Sequence, residues 1–504
     1  MYAVSSLPLI SSLKDPECWT QVWYADDASA CGTLDKLLEW YSLLRKEGPK
    51  YGYFPEPSKS FLVVDISHVS EAEEKCSGLG MNVVCGHRLL GGIIGSYPEK
   101  IEYVGDLVKK WISELECLAM IASSQPQAAF AAFTKSVQFR WTYVQRVIGD
   151  CQSLFENLET VIRKKFLPTI MRSEVSDTER ILLSLPAKWG GLGVSNPIEM
   201  AATSFAMSRR ATDIIVQAIK GKGLFELDAH INQLTETRRE LSRVKDQLCN
   251  DKFEDVLGQF DTTQQRAILR ARNQKISGWL TVLPLAKSHF DLSPQEFWDA
   301  LAIRYKKPLR GTPELCDGCG AQFNLSHALS CRKGGLVTRR HNEVRDTLGD
   351  LASLIWSNVK KEPIVREADN KVGTTALVAD IAIRGVWMPQ AEALFDVRVI
   401  NTDAQSYSNR TTRDVLQSAE KEKKAKYVAA CEERRASFTP VCCSVDGVFG
   451  KEAEVFLKMI GEGLSTRWDR SYSEVMGWVR ARMLFAILRA TILCLRGARK
   501  NGDV

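Results

Sequence analysis

The pattern of apolar and polar residues differs between three parts of the chain. In the first part it predicts a small region that contains both strands and helices. Two apolar flanks surround a tight acidic centre over residues 21–30, which predicts a β-hairpin. A helix is predicted over 34–46, and a strand over 60–64 follows a turn rich in glycine and proline. These elements precede a much longer helical stretch.

The middle of the chain has the three- and four-residue apolar spacing of helices. This spacing holds from about 100 to 171, and a glycine stretch at 189–193 breaks it. A second helical block, rich in both charge signs, extends from about 197 to 278. A basic connector with prolines at 304–313 marks a domain boundary. Beyond it, strands and helices alternate to the end, which predicts an α/β domain.

Length and charge restrict the architecture and the surface. A chain of 504 residues with 45% hydrophobic content is too large for one core and predicts about three or four domains. The formal net charge of +6 comes from 67 basic and 61 acidic residues, which is a slight excess. Any surface that binds nucleic acid must therefore be local.

Neither a secretory signal nor a membrane span is predicted. The first ten residues contain no basic segment and no small-residue cleavage site. The longest apolar run near the end, 483–495, contains Arg489 and is shorter than the roughly 18 to 20 residues that span a bilayer, so it predicts a buried helix. The 14 cysteines are scattered except in one cluster, which suits a reducing compartment. The sequence therefore predicts an intracellular protein.

Two adjacent carboxylates, Asp26 and Asp27, occupy the predicted hairpin turn. Hard oxygen ligands of this kind can hold Mg²⁺ in a phosphoryl-transfer enzyme, whereas a surface turn that favours aspartate is the alternative. The segment Tyr24-Ala25-Asp26-Asp27 is similar to the YxDD motif of reverse transcriptases. Segments 52–60 and 86–92 resemble, in the same order, the next palm element with its lysine and the primer-grip turn.

Two later segments extend this resemblance over nearly the whole chain. Residues 185–193 and 279–285 look like parts of non-LTR retrotransposon proteins that carry a C-terminal restriction-like endonuclease. In that family another catalytic aspartate precedes the hairpin, but only about 25 residues precede it here, too few for a palm domain. The resemblance therefore implies an N-terminally truncated protein in which Asp26 and Asp27 lack a third carboxylate. This chain alone is expected not to synthesise DNA.

A CCHC set with two, seven and three intervening residues is formed by Cys316, Cys319, His327 and Cys331. Three thiolates and an imidazole supply the four ligands of a tetrahedral Zn²⁺ site, and the filled set indicates a structural zinc. Ordinary thiols in a small turn are the alternative. His341 could replace His327, although the knuckle spacing favours His327.

Basic residues around the CCHC set could contact phosphates. They are Arg332, Lys333, Arg339, Arg340 and Arg345. For the last three, a solvated charged helix is an equally good interpretation.

A second pair of acids follows the cysteine cluster. Asp380 lies in a predicted strand over 376–385 and Asp396 in the next strand, and each is surrounded by apolar residues. A carboxylate in such surroundings is costly unless it is paired or binds a metal, so a buried salt bridge is the main alternative. Lys423 and Lys426 are three residues apart on a predicted helix and share one face, which by itself is typical of a solvated face.

The order of acid strand, acid strand and lysine helix resembles the restriction-like endonuclease of these elements. In such nucleases two acids hold Mg²⁺ at the scissile phosphate and a lysine orients the attacking water. Arg398 stands where the standard motif has lysine, which fits a lysine that has moved to the following helix. Glu362 is a candidate accessory acid upstream.

The predicted fold class is multidomain α+β. Its parts are the end of a reverse-transcriptase palm (1–98), a helical thumb (99–195), a helical linker region (196–305), a CCHC zinc knuckle (306–345) and an α/β restriction-endonuclease-like domain (346–504). The implied cofactors are Mg²⁺ and Zn²⁺, and the implied partners are a DNA target and the element RNA, with no membrane and a nuclear location. The oligomeric state is not given by the sequence.

The family is an RNA-directed DNA polymerase and DNA endonuclease, whose nick in the target primes reverse transcription. The first hypothesis is that this chain retains Mg²⁺-dependent DNA nicking. A nucleic-acid-binding remnant without catalysis is the alternative, and a product of a decaying element without selected function is a third interpretation.

Overall fold

The computed structural model describes residues 2–273, 276–368 and 375–500. The predicted fold class is confirmed in its coarse form, because the chain is a mixed α+β protein. None of the helices in the described residues is both long enough and apolar enough to cross a membrane. The apolar run at 483–495 lies within one largely buried helix, as predicted.

The chain forms two compact units, each made of three segments. The first unit consists of Met1–Glu116, Val137–Ile162 and Asn196–Leu248. The second consists of Cys117–Ser136, Arg163–Ser195 and Cys249–Val504. The finer division into five domains remains a prediction.

Most of the described residues lie in α-helices. The helices are α1 (Tyr2–Ser5), α2 (Leu7–Ser12), α3 (Leu34–Glu47), α4 (Val69–Lys75), α5 (Tyr97–Ala122), α6 (Pro126–Ala132), α7 (Phe139–Val147), α8 (Glu156–Val161), α9 (Leu167–Met171), α10 (Asp177–Ser184), α11 (Ala201–Ile219), α12 (Leu227–Leu257), α13 (Thr262–Asn273), α14 (Pro294–Tyr305), α15 (Leu325–Ser330), α16 (Leu336–Ser353), α17 (Thr412–Glu433), α18 (Lys451–Trp468) and α19 (Tyr472–Arg496).

The strands are short and form small sheets. They are β1 (Trp19–Tyr24), β2 (Asp27–Gly32), β3 (Phe61–Val63), β4 (Asn82–Val84), β5 (Gly86–Leu89), β6 (Gly92–Gly95), β7 (Val359–Lys361), β8 (Ile364–Arg366), β9 (Leu377–Val378), β10 (Ile381–Arg384), β11 (Glu392–Ile400) and β12 (Ser437–Ser444).

The first unit contains the predicted hairpin. Strands β1 and β2 pair in antiparallel fashion, with Tyr24 opposite Asp27 and a two-residue turn between them. Trp19 of β1 packs with Leu9, Leu13 and Trp40 in a small core, which anchors the hairpin to α2 and α3. The predicted helix over 34–46 and strand over 60–64 are confirmed by α3 and β3.

The second unit contains a four-stranded sheet in the order β12-β11-β10-β7. Strand β10 is antiparallel to β7 and β11, whereas β11 and β12 are parallel and connected through α17. Phe395 faces a core built with α16, α18 and α19. The preceding residue, Leu394, faces a second core built with α17. Both faces of the sheet are therefore covered, which explains why its strands are apolar along almost their whole length.

Candidate functional site

Asp380 lies just before the start of β10, and Asp396 lies in the middle of the neighbouring strand β11. Ile381 of β10 is paired with Phe395 of β11, so the next pair outward is Asp380 and Asp396. The amide of Asp380 donates to the Phe395 carbonyl over 2.9 Å. Oδ2 of Asp380 accepts a hydrogen bond from the amide of Val397 over 2.6 Å. The backbone register therefore places Asp380 next to Asp396, while the Asp380 carboxylate contacts His341 of α16 and the Asp396 carboxylate contacts Lys423 of α17.

The Asp396 side chain is buried next to a cation. Because side chains alternate along a strand, it shares the face of Leu394, which α17 covers. The Lys423 ammonium forms an ion pair with Oδ2 of Asp396. This oxygen is shielded from solvent and accepts no hydrogen bond of good geometry from the described residues. The ion pair with Lys423 therefore offsets part of the free-energy cost of burying the Asp396 carboxylate.

Helix α17 begins at a side-chain cap, where Oγ1 of Thr411 accepts a hydrogen bond from the Asp414 amide over 3.2 Å. Lys423, Lys426 and Tyr427 are three and four residues apart on this helix and share one face. Nζ of Lys426 lies 3.5 Å from the Tyr427 hydroxyl and 4.9 Å from the centre of its ring. In the described residues Lys423, and not Lys426, forms the ion pair with the acid.

Tyr427 closes the site on the side of α17. Its hydroxyl donates to the Val378 carbonyl over 2.9 Å. Burial, together with the neighbouring Asp396 carboxylate, raises the pKa of the Tyr427 hydroxyl well above its ordinary value. The hydroxyl therefore stays protonated and can act as a hydrogen-bond donor beside the carboxylate.

His341 belongs to this site and not to the cysteine cluster. It lies on α16, and its Nε2 atom is 2.9 Å from Oδ1 of Asp380. Sequence reasoning considered it as a substitute for His327, which the contact with Asp380 does not support. The histidine lies 39 residues before the aspartate, and no short-range spacing links the two.

His341, Lys423 and Lys426 line an open cleft of about 430 Å³. The cleft is lined by Val337, Arg340, His341, Val397, Arg398, Val399, Glu422, Lys423 and Lys426. Glu422 forms an ion pair with Arg398, so the lining retains an excess of positive charge. Such a surface attracts phosphate groups.

Two arginines that sequence reasoning assigned to a basic or solvated helix surface are instead buried. Arg340 is 3% exposed and donates from Nη1 to the Leu329 carbonyl over 2.9 Å. Burial lowers the pKa of Arg340. Arg345 is 8% exposed and forms ion pairs with Asp346 and Glu362. The interpretation as a solvated helix surface was wrong for these two residues, because their helix, α16, packs against the sheet.

Glu362, the candidate accessory acid, lies one strand further along the sheet edge. Its amide donates to the Asp380 carbonyl over 2.9 Å. Its φ of 53° is in the left-handed region, and its carboxylate pairs with Arg345. The backbone of Glu362 is therefore next to Asp380, whereas its carboxylate pairs with Arg345 of α16.

The CCHC residues converge in the second unit. The ligand atoms of Cys316, Cys319, His327 and Cys331 all lie within 4.8 Å of one another. Sγ of Cys331 is 3.9 Å from the sulfurs of both other cysteines, and Sγ of Cys319 is 3.3 Å from Nε2 of His327. Sulfur atoms around tetrahedral zinc, with Zn–S bonds of about 2.3 Å, lie about 3.8 Å apart. The donor set and its spacing fit a zinc ion.

Local structure positions each half of this cluster. The Cys316 amide donates to the Ala321 carbonyl over 2.8 Å, which closes the first turn. His327 and Cys331 are four residues apart at α15, which Asn324 caps through a 2.8 Å bond to the His327 amide. Burial opposes ionisation of Cys316, but hydrogen bonds from His327 and from the backbone lower the pKa of its thiol to about 6. A thiol that ionises readily is suited to bind metal.

The C-terminal segment of the chain packs against the cysteine cluster. Oδ2 of Asp317 accepts hydrogen bonds from the amides of Arg499 and Lys500, over 2.6 and 3.3 Å. The Arg499 side chain is buried, and Nη2 donates to the Ala328 carbonyl over 3.0 Å. A Cβ atom at Gly318 would lie 2.7 Å from the Cβ atom of Arg499. Sequence reasoning did not find this contact, because 182 residues separate Asp317 from Arg499.

Asp26 and Asp27 lie in the hairpin of the first unit, and both are exposed. Ala25 has a left-handed φ of 54°, and the Tyr53 hydroxyl donates to the Asp26 carbonyl over 3.1 Å. Within the described parts of the chain, the CCHC set is the one group of three or more potential metal-ligating side chains that converge. No third acid therefore joins this pair among those residues.

Comparison with known proteins adds no family to this picture. No protein-family model matches the chain, and a search of curated proteins gives no match.

Proposed function

We propose that the chain belongs to a non-LTR retrotransposon protein and that its last domain nicks DNA with the help of a divalent cation. The observation that supports this proposal is the strand register that places Asp380 next to Asp396, together with the ion pair between Asp396 and Lys423. Two acids on neighbouring strands with an adjacent lysine are the chemistry expected of a restriction-like nuclease. The motifs of the first 98 residues add the link to retrotransposon proteins.

The acid pair suits Mg²⁺, which prefers carboxylate oxygens. Oδ2 of Asp396 is buried and contacts the Lys423 ammonium, so a metal ion bound by this oxygen would replace or adjoin that contact. When bound by Asp380 and Asp396, the ion would supply charge neutralisation at the phosphate and acidify a water molecule.

The protein groups around the acids have separate roles in this proposal. Val397 and His341 engage the two oxygens of Asp380, which fixes the orientation of that carboxylate. Lys423 brings a positive charge to the side of Asp396, where it can stabilise negative charge that develops on the phosphate. Lys426 and Arg398 line the cleft and can hold neighbouring phosphates of the DNA backbone.

The CCHC cluster would have a structural role in this protein. Four protein ligands leave no open position for water, which is typical of zinc that stabilises a fold. The proposed partners are DNA and the element RNA. Asp26 and Asp27 form an incomplete site, so we expect no DNA synthesis by this chain alone.

The proposal is tested by nicking of a supercoiled plasmid with Mg²⁺. Asp396→Ala should lower the rate at least about 100-fold, because the variant removes a metal ligand. Asp350→Ala is the matched control, since Asp350 is an exposed acid on α16 whose closest ion pair, with Lys361, is 3.9 Å long. Wild-type and Asp350→Ala protein should nick at equal rates.

Other outcomes would contradict the proposal. Nicking by Asp396→Ala at the wild-type rate would show that another site or a contaminant cleaves the plasmid. Absence of nicking by all three proteins, with plasmid binding retained, would favour a nucleic-acid-binding remnant without catalysis.

A further inference from the structure

A second cleft in the second unit has a lining that no part of the proposed nuclease uses. Its volume is about 410 Å³, and it lies between α9 and α14. It is lined by Ser123, Pro168, Thr169, Arg172, Ser173, Glu174, Trp298 and Arg310. The cleft is open to solvent, which suits a segment of an extended chain better than an enclosed small molecule.

A flat cationic group is fixed at this cleft. The guanidinium carbon of Arg172 lies 4.7 Å from the ring centroid of Trp298. Nη1 of Arg172 donates to Oε1 of Gln295 over 2.9 Å, and Nε1 of Trp298 donates to the Thr169 carbonyl over 3.2 Å. Hydrogen bonds to α14 and α9 therefore hold Arg172 and Trp298 in place. The two side chains have little conformational freedom left to lose when a ligand binds.

The charge of the cleft is not neutralised by ion pairs. Within the described parts of the chain, Arg172 and Arg310 are exposed and neither forms an ion pair with a carboxylate. Glu174 is the single acidic side chain in the lining. Lys307 anchors the neighbouring loop through Nζ, which donates to Oγ of Ser173 and to the Glu174 carbonyl over 2.8 and 3.1 Å.

We propose that this cleft binds a single-stranded polynucleotide. A base stacks on the outer face of the Arg172 guanidinium, which Trp298 supports from behind, and Arg310 contacts an adjacent phosphate. Bases in a duplex are stacked on one another and cannot use this face, whereas an acidic peptide offers charge without a flat aromatic group. RNA and DNA share the required chemistry.

The experiment measures binding alone, so its outcome does not depend on cleavage. Fluorescent eight-nucleotide single strands of RNA and of DNA are titrated with the full chain, without added Mg²⁺, and anisotropy gives the affinity. Arg172→Gln and Arg310→Gln should each weaken binding of at least one strand about fivefold or more. Arg310→Gln should also reduce the salt dependence of binding by about one phosphate contact.

Two further variants separate stacking from charge. Arg172→Lys keeps the charge but removes the planar face, so it should bind as weakly as Arg172→Gln. Arg435→Gln is the control, because Arg435 is also exposed and also has a left-handed φ, 57° against 52° for Arg172. It should bind like the wild type, and all variants should have the circular dichroism of the wild type because the substituted side chains are exposed.

Several results would overturn the proposal. Arg172→Gln could bind both strands with the affinity of the wild type, or Arg172→Lys could keep full affinity. Arg172→Gln could also weaken binding of a duplex of the same length to the same extent. Finally, polyglutamate could compete with the wild-type protein for the single strand as strongly as an unlabelled strand does. A 5-iodouridine oligonucleotide that crosslinks to peptide 295–310 in the wild type, but not in Arg172→Gln, would place the strand at this cleft.

Discussion

Nε2 of His341 lies 2.9 Å from one oxygen of Asp380, and the Val397 amide donates to the other oxygen over 2.6 Å. The carboxylate is thus held from two sides, by a helix and by the neighbouring strand. The helix, α16, begins five residues after Cys331, the last ligand of the CCHC cluster. The orientation of the acid therefore depends on how that helix packs on the sheet.

We expect His341→Ala to lower the nicking rate about 10- to 100-fold, because groups that orient a metal ligand have effects of this size. The Mg²⁺ concentration that gives half of the maximal rate should rise as well, because Asp380 is less well oriented without His341. Titration of Mg²⁺ in the plasmid assay measures both quantities. His68→Ala, an exposed histidine of the first unit, is the control. An unchanged Mg²⁺ requirement in His341→Ala would show that the contact is only structural.

Lys423 and Lys424 are adjacent on α17 but meet different partners, which provides a matched comparison. Lys423 pairs with Asp396, whereas Lys424 pairs with Glu452 over 2.7 Å. Lys423→Met should lower the nicking rate about 100-fold or more, because it removes the cation beside the acid. Lys424→Met should nick at close to the wild-type rate. Equal losses in both variants, measured on proteins with the same circular dichroism, would contradict a catalytic contribution of Lys423.

Zinc should copurify with the chain at about one ion per molecule, because one complete four-ligand set converges in the described residues. Cys331→Ser should lose the metal and lower the melting temperature, since a structural zinc contributes directly to folding. Cys117→Ser, an exposed cysteine outside the cluster, should keep both. Elemental analysis and thermal melting measure the two effects. Full zinc content in Cys331→Ser would exclude this cluster as the site.

A buried ion-pair network predicts an acid-dependent loss of stability. Asp403 pairs with Arg270 over 2.6 Å and with Lys306 over 2.7 Å. Although burial alone would raise its pKa, Lys306 and Arg270 lower the pKa of Asp403 from 3.8 to about 2. A carboxyl with a depressed pKa in the folded state contributes stability above its unfolded pKa and loses that contribution as the pH falls toward the folded value.

Asp403→Asn should therefore reduce the free energy of unfolding by about 3 kcal/mol at neutral pH, because it removes the carboxylate that pairs with Lys306 and one of the two that pair with Arg270. The difference from the wild type should be constant down to about pH 5 and shrink as the pH falls below about 4. Urea unfolding over this range measures it. Asp350→Asn serves as a control, because Asp350 is an exposed acid on α16. A difference that grows on acidification would contradict the assigned protonation.

The sequence by itself determined features that depend on neighbouring residues. The alternation around Asp26 defined the hairpin, because the turn and both strands lie within 14 residues, from Trp19 to Gly32. The CCHC spacing identified the four ligands, since a tight turn and one turn of helix bring them together whatever surrounds them. The apolar runs around Asp380 and Asp396 likewise marked two strands with an acid in or next to each.

Tertiary structure decided which side chains meet across long stretches of chain. The contact of His341 with Asp380, the burial of Arg340 and the bond between Asp317 and Arg499 follow from the packing of α16 and α19 on the sheet and the cysteine cluster. Lys423, not Lys426, meets Asp396 because the rotation of α17 about its axis is set by the apolar residues that it buries. Sequence periodicity gives the face of a helix, but the residue on that face that meets a partner is fixed only when both elements are packed.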